Sequence, residues 1–285
     1  MKPTINTITV IGAGTMGRGI AYTASLAGYA TKLYDVEDKI LNAAVENITG
    51  SFRKAVDKAI LTQEAATPAL ARLQTTTDLA AAAGEADFII EAVPERIDLK
   101  IALFRQLDEI TSPHAIFATN TSSLSVTEMA GATKRPGQVI GMHFFNPVPL
   151  MKLIEIIRGL ETSEATIAAT QEVSQMMKKE TVLINESPGF ITTRINAMIG
   201  NEAFYLLQEG VASAREIDKA LKLGLNHPMG PFELVDLVGL DVRLNILNFL
   251  HQTLGEKFRP CPLLVKYVKA GRLGRKAGKG VYDYS

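Results

Sequence analysis

Residues 7–17 constrain this chain more than any other stretch. The run Thr7-Ile8-Thr9-Val10-Ile11 leads straight into Gly12-Ala13-Gly14-Thr15-Met16-Gly17. A β-branched run of that length reads as a strand, and the pattern after it reads as a helix over 15–26 that stops at Gly28. At a strand-to-helix junction, G-x-G-x-x-G gives each glycine a purpose. Gly12 permits the tight turn, Gly14 lets the backbone approach a pyrophosphate, and Gly17 lets the helix pack closely on the strand. The phosphates then meet the positive end of the helix, with Thr15 and Met16 in its first turn. Glycines also serve ordinary turns, so the motif alone is weak. Here the next strand, 31–34, ends at Asp35, 18 residues beyond Gly17. A carboxylate there accepts the adenosine ribose hydroxyls and repels a 2′-phosphate, and no arginine follows it immediately. The expected cofactor is NAD rather than NADP.

Further strands are expected at 88–92, 116–119, 139–143, 153–157 and 182–184, separated in the first half by amphipathic helices. That alternation is the signature of a parallel α/β sheet. Helical pattern over 37–60, and again over 63–73, is longer than a crossover needs, so it reads as a protruding hairpin. Asn185-Glu186-Ser187-Pro188-Gly189 is a turn-rich joint. Helices are expected beyond it at 190–208, 214–223, 232–254 and 263–270. The expected fold class is α/β: an N-terminal Rossmann-type dinucleotide-binding domain with a protruding helical hairpin (1–185), followed by an all-α C-terminal domain (186–285). The wide apolar faces of 198–207 and 232–250 exceed what about a hundred residues can bury, so a homodimer is expected.

Thirty basic residues balance thirty acidic ones, which leaves no global field to draw nucleic acid or an anionic membrane. Charges interrupt every apolar run before membrane-spanning length, and no signal-peptide pattern opens the chain. The lone cysteine, Cys261, lies between two prolines with no histidine beside it and reads as structural. A cytoplasmic enzyme is the expectation.

Four histidines are available for chemistry: His114, His143, His227 and His251. The first and last read as surface residues and His227 as part of a turn. His143 ends a strand of the nucleotide sheet, where ligands gather outside the carboxyl ends. In Leu153-Ile154-Glu155-Ile156-Ile157, Glu155 shares a face with apolar neighbours, an expensive position for a carboxylate without a partner. An imidazole from the preceding strand would be that partner, with Lys152 as the rival. A carboxylate on one ring nitrogen fixes the tautomer and stabilises the imidazolium formed when the other nitrogen takes a proton. Such a pair can deprotonate an alcohol while its carbon yields hydride. Asn120-Thr121-Ser122-Ser123 follows another strand end. Ser125 begins a capping box and leaves the upstream Asn120 and Ser122 available to orient a ligand. No metal-type histidine cluster or nucleophile elbow is present.

With these residues in place, the chain resembles the 3-hydroxyacyl-CoA dehydrogenases over essentially its whole length. The resemblance rests on 12–17, Glu91-Ala92-Val93-Pro94-Glu95, Asn120-Thr121-Ser122-Ser123-Leu124 and Gly141-Met142-His143-Phe144-Phe145-Asn146-Pro147. It continues through Met151-Lys152-Leu153-Ile154-Glu155, Pro188-Gly189-Phe190, His227-Pro228-Met229-Gly230-Pro231 and 273–280. It implies reversible hydride transfer between NAD and the 3-hydroxyl carbon of a short (S)-3-hydroxyacyl-CoA, with acetoacetyl-CoA reduced in the reverse direction. It implies His143 as general base, Glu155 as its electrostatic partner and Ser122 near substrate and nicotinamide. Asp35, Glu95, Lys100, Asn120, Asn146 and Lys276 match positions that contact NAD, and Ser51 and Lys58 match positions that hold CoA. The second domain is expected to dimerise and close over the site. One departure stands out: Thr193 occupies the place where the family usually carries an asparagine, so a single hydroxyl replaces an amide. Two rival readings remain, a dehydrogenase of a free hydroxy acid and a catalytically silent NAD-binding protein. The CoA-type residues argue against the first, and His143, Glu155 and Ser122 against the second.

Overall fold

In a computed structural model, which describes residues 5–285, the chain divides between Ser187 and Pro188 into two units. The first holds β1 (Thr7–Ile11), α1 (Thr15–Leu26), β2 (Ala30–Tyr34), α2 (Asp38–Asp57), α3 (Gln63–Ala71), β3 (Leu73–Thr76) and α4 (Leu79–Ala83). It continues with β4 (Phe88–Glu91), α5 (Ile97–Ile110), β5 (Ile116–Thr119), α6 (Val126–Ala130), β6 (Val139–Phe144), β7 (Leu153–Arg158), α7 (Glu164–Met176) and β8 (Glu180–Asn185).

The eight strands form one sheet in the order β3-β2-β1-β4-β5-β6-β7-β8. Pairing is parallel from β3 to β6; β7 turns antiparallel to β6, and β8 runs with β7. The chain winds outward from β1 to β3, then restarts at β4 on the other side of β1. A crevice opens beyond the carboxyl ends where those two directions part, the usual nucleotide position in this topology. Register fixes what lines it: Ile11 lies beside Tyr34 and Glu91, and Glu91 lies beside Thr119. Strands β4, β5 and β6 are buried throughout, which explains their near-continuous apolar runs.

Two local expectations for this unit need correcting. The helix expected over 63–73 ends at Ala71, and Leu73–Thr76 is the edge strand β3, paired among the described residues with β2 alone. Its sequence, Leu-Gln-Thr-Thr, is short and mostly polar because an edge strand buries little. Helix α2 ends at Asp57, so Lys58 caps it rather than belonging to it.

The second unit is all helix: α8 (Thr192–Gln208), α9 (Ala214–Gly224), α10 (Pro231–Val238), α11 (Leu240–Leu254) and α12 (Pro262–Lys269), with short 3-10 turns. The single helix expected over 232–254 is two. Gly239 breaks it at φ +110°, a conformation that L side chains rarely adopt. The apolar period runs on across the break and concealed it. Phe204, Phe232, Leu247, Leu250, Phe258, Cys261 and Leu264 form the core. Cys261 is buried there, its N–H donating to Asn201 Oδ1 at 2.9 Å, and burial pushes its thiol up, so it is a packing residue. Among the described residues, no helix is long and apolar enough to cross a membrane.

Candidate active site

The glycine loop is shaped partly by the protein and partly for something else. A Cβ on Gly12 would lie 2.7 Å from the Ala92 carbonyl oxygen, and one on Gly17 only 1.7 Å from the Gly12 carbonyl oxygen. Those two glycines are demanded by the fold. A Cβ on Gly14 would meet nothing within 4 Å. Open space at the N-terminal cap of α1, directed by neither turn nor packing, fits the phosphates of a dinucleotide. Asp35 pins the loop from the next strand end: Oδ2 accepts the Ala13 N–H and Oδ1 the Val36 N–H, each at 2.8 Å. Each oxygen keeps acceptor capacity for a ribose hydroxyl.

The ends of β4 and β5 carry a polar network that the sequence reading missed. Glu91, fully buried, accepts Lys100 Nζ at 2.7 and 2.8 Å, the Thr119 hydroxyl at 2.6 Å and the Val93 N–H at 2.7 Å. Burial pushes the Glu91 carboxyl up, and the ammonium and hydrogen bonds oppose that shift. Lys100 also lies 3.2 Å from Glu95 Oε2. The other Glu95 oxygen accepts the Thr121 hydroxyl at 2.5 Å and the Ser122 N–H at 2.9 Å. Lys100, matched by resemblance to an NAD contact, is therefore turned into the protein and committed to two carboxylates. Ser122 is held through its backbone. Asn120 ties the sheet together, its Oδ1 accepting the Phe144 N–H at 2.9 Å. Contacts from β4 to β5 and α5 join residues nine to 28 apart, which no local pattern reveals.

His143 and Glu155 meet. The antiparallel register of β6 and β7 sets them directly opposite, and Nδ1 lies 2.8 Å from Glu155 Oε2. Both are buried, at 5% and 1% exposure, so the carboxylate acts on the ring through little intervening solvent. The Phe145 ring packs 4.6 Å from the imidazole, centroid to centroid. Lys152, the rival partner, stays exposed ahead of β7. His114 and His251, both outside that pair, bond to the half-buried Asp87 and the exposed Glu256.

Ser51 and Lys58 line one cleft of about 440 Å³, with Thr15, Gly19 and Tyr22 of α1 on one wall and Asn146 to Leu150 on another. Ser51 donates its hydroxyl to Asn47 O at 2.8 Å. In the second unit, Thr193 lies in the first turn of α8, and Lys276 forms an ion pair with Asp241 at 2.7 Å.

A nucleotide sheet with this switch point, this loop and a proton-handling pair beside it defines an NAD-dependent oxidoreductase. Comparison with known proteins sharpens that class. The pattern of the 3-hydroxyacyl-CoA dehydrogenase NAD binding domain matches residues 7–187, and that of the 3-hydroxyacyl-CoA dehydrogenase C-terminal domain matches 189–284. The chain belongs to the 3-hydroxyacyl-CoA dehydrogenase family. A probable 3-hydroxybutyryl-CoA dehydrogenase of Bacillus subtilis is 47% identical over 281 residues, spanning 98% of each chain. The 3-hydroxybutyryl-CoA dehydrogenase of Bradyrhizobium diazoefficiens is 46% identical, spanning 100% of this chain and 97% of its own. Among solved structures, the (S)-3-hydroxybutyryl-CoA dehydrogenase from Ralstonia eutropha is similar with a TM-score of 0.95 and 43% identity. That match covers 99% of this chain and all of the other.

Proposed function

We propose that this chain oxidises the 3-hydroxyl of (S)-3-hydroxybutyryl-CoA, or of a similarly short acyl-CoA, and reduces acetoacetyl-CoA in the reverse direction. The observation that carries the reading is the buried His143–Glu155 contact. Bound NAD supplies the hydride acceptor. Residues 12–17 with Asp35, Glu95, Asn120 and Asn146 hold the dinucleotide. Nε2 of His143 takes the proton of the 3-hydroxyl as its carbon is oxidised, and Glu155 at Nδ1 stabilises the imidazolium that results. In reduction the same imidazolium returns the proton to the new alkoxide. Ser122, fixed by Glu95, orients the reacting oxygen. Ser51 and Lys58 grip the CoA portion, which disfavours a free hydroxy acid. Ile191, Ile195, Leu223, Leu225 and Leu237 expose large apolar surface on the helical unit, which supports a homodimer. The lone buried thiol suits a reducing cytoplasm.

The direct assay follows NADH absorbance with acetoacetyl-CoA as oxidant. Turnover within the ordinary enzymatic range is expected, and loss of NADH no faster than without enzyme defeats the proposal.

A further inference from the structure

The cleft that holds Ser51 and Lys58 carries three cations and no carboxylate. Arg18 reaches it from α1, and Lys54 joins Lys58 from the end of α2. Many of the chain's other cations, including Lys100, Arg135, Arg158 and Lys222, lie against acidic partners. Arg18, Lys54 and Lys58 have no ion pair among the described residues. Arg18 shares a helix face with Tyr22 and Leu26, spaced four apart, and that face is the wall of the cleft. Gly19 beside it lets the 146–150 loop settle onto α1, since a Cβ there would lie 2.9 Å from Val148 Cβ. Apart from Thr15, Asn47, Ser51 and Asn146, the rest of the lining is mainly apolar. Two of its apolar side chains, Ile60 and Leu150, are 67% and 72% exposed, an arrangement that marks a ligand surface.

We infer that Arg18 is a specificity residue: it grips a phosphate of the CoA carrier across the cleft from Lys54 and Lys58, and so selects CoA thioesters over thioesters that lack phosphates. The inference rests on the acyl-CoA reading and extends it from Ser51 and Lys58 to the opposite wall. CoA carries a diphosphate and a 3′-phosphate, so several negative charges must be met. Two lysines meet them as point charges, and an arginine adds a planar fork that bonds a phosphate bidentately. The aliphatic lining receives the adenine and the pantetheine stem. Arg18 also follows the dinucleotide loop directly, so the NAD pyrophosphate is the competing ligand of the same chemistry.

The test measures kcat/KM for acetoacetyl-CoA and for acetoacetyl-pantetheine, which lacks every phosphate, in the intact protein and in Arg18→Ala. Arg18 is partly exposed and has no ion pair among the described residues, so the variant is expected to keep its thermal midpoint. Loss of one charged hydrogen bond should cut the preference for the CoA thioester about tenfold, through KM, with KM for NADH unchanged. Lys54→Gln should reduce the same ratio less, because a lysine offers no fork. An unchanged ratio overturns the assignment. A raised KM for NADH with an unchanged ratio also overturns it, and gives Arg18 to the dinucleotide. If the unaltered protein itself turns over both thioesters equally, the CoA clamp fails as a whole rather than Arg18 alone.

Discussion

Two carboxylates lie fully buried in the same sheet, Glu91 at the end of β4 and Glu155 in β7, and each faces a basic nitrogen within 2.8 Å. The partners make the difference. Glu91 faces an ammonium, which brings three donors and no acceptor, and donors from Thr119 and Val93 add to the grip. Glu155 faces an imidazole, whose other ring nitrogen can accept a proton. The first arrangement is fixed and fastens β4, β5 and α5 together beneath the Glu95–Ser122 contact. The second can change charge during turnover. A buried carboxylate beside a basic nitrogen is thus part of a frame in one place and of a proton acceptor in the other, according to the base it meets.

Removing each half of that comparison should give opposite signatures. Lys100→Met leaves Glu91 charged and unpaired inside the sheet. It should lower stability by about 3–5 kcal/mol in denaturant titration. A loss under 1 kcal/mol would mean that Glu91 takes up a proton at little cost, and the frame would be weaker than argued. Glu155→Gln keeps a polar group at Nδ1 but removes the charge. It should lower kcat roughly a hundredfold, while the midpoint of unfolding moves little. A stability loss as large as that of Lys100→Met would erase the distinction between the two pairs.

The helical unit supplies a third case, a cation with no carboxylate partner among the described residues. Arg243 is 2% exposed, its Nε has no hydrogen-bond partner among the described residues, and burial pushes its guanidinium down to about 10. Below that pH the group is charged in the folded state and uncompensated, so the cost is present through the neutral range and shrinks as pH rises past 10. Arg243→Met should therefore stabilise the protein at neutral pH by about 1–3 kcal/mol, with the gain narrowing at higher pH. Destabilisation would mean that packing of the buried side chain outweighs the cost of its charge. The smallest effect concerns Gly14. With open space at its Cβ, Gly14→Ala should raise KM for NAD about tenfold without lowering the thermal midpoint, because only the ligand occupies that space. A fall in midpoint would mean that the loop itself needs the glycine.

Much of this was legible in the sequence. The glycine loop and Asp35 announce themselves because both sit at strand ends set by local pattern. Glu155 does so because a carboxylate in an apolar strand demands a partner. Glu91 was hidden, although it lies inside a quoted motif, because its partners come from a neighbouring strand and from the next helix. The edge strand β3 was hidden by its polarity, and the break at Gly239 by an apolar period that continues through it. The phosphate-gripping cleft was half visible: Ser51 and Lys58 came from resemblance, whereas Arg18 needed the 146–150 loop laid against α1.

The central claim is that His143, backed by Glu155, is the proton acceptor of the reaction. It is tested most directly by measuring NADH binding and acetoacetyl-CoA reduction side by side in His143→Ala. The account predicts NADH affinity within about twofold of the unaltered protein and turnover lower by roughly two to four orders of magnitude. Turnover close to that of the unaltered protein would contradict it.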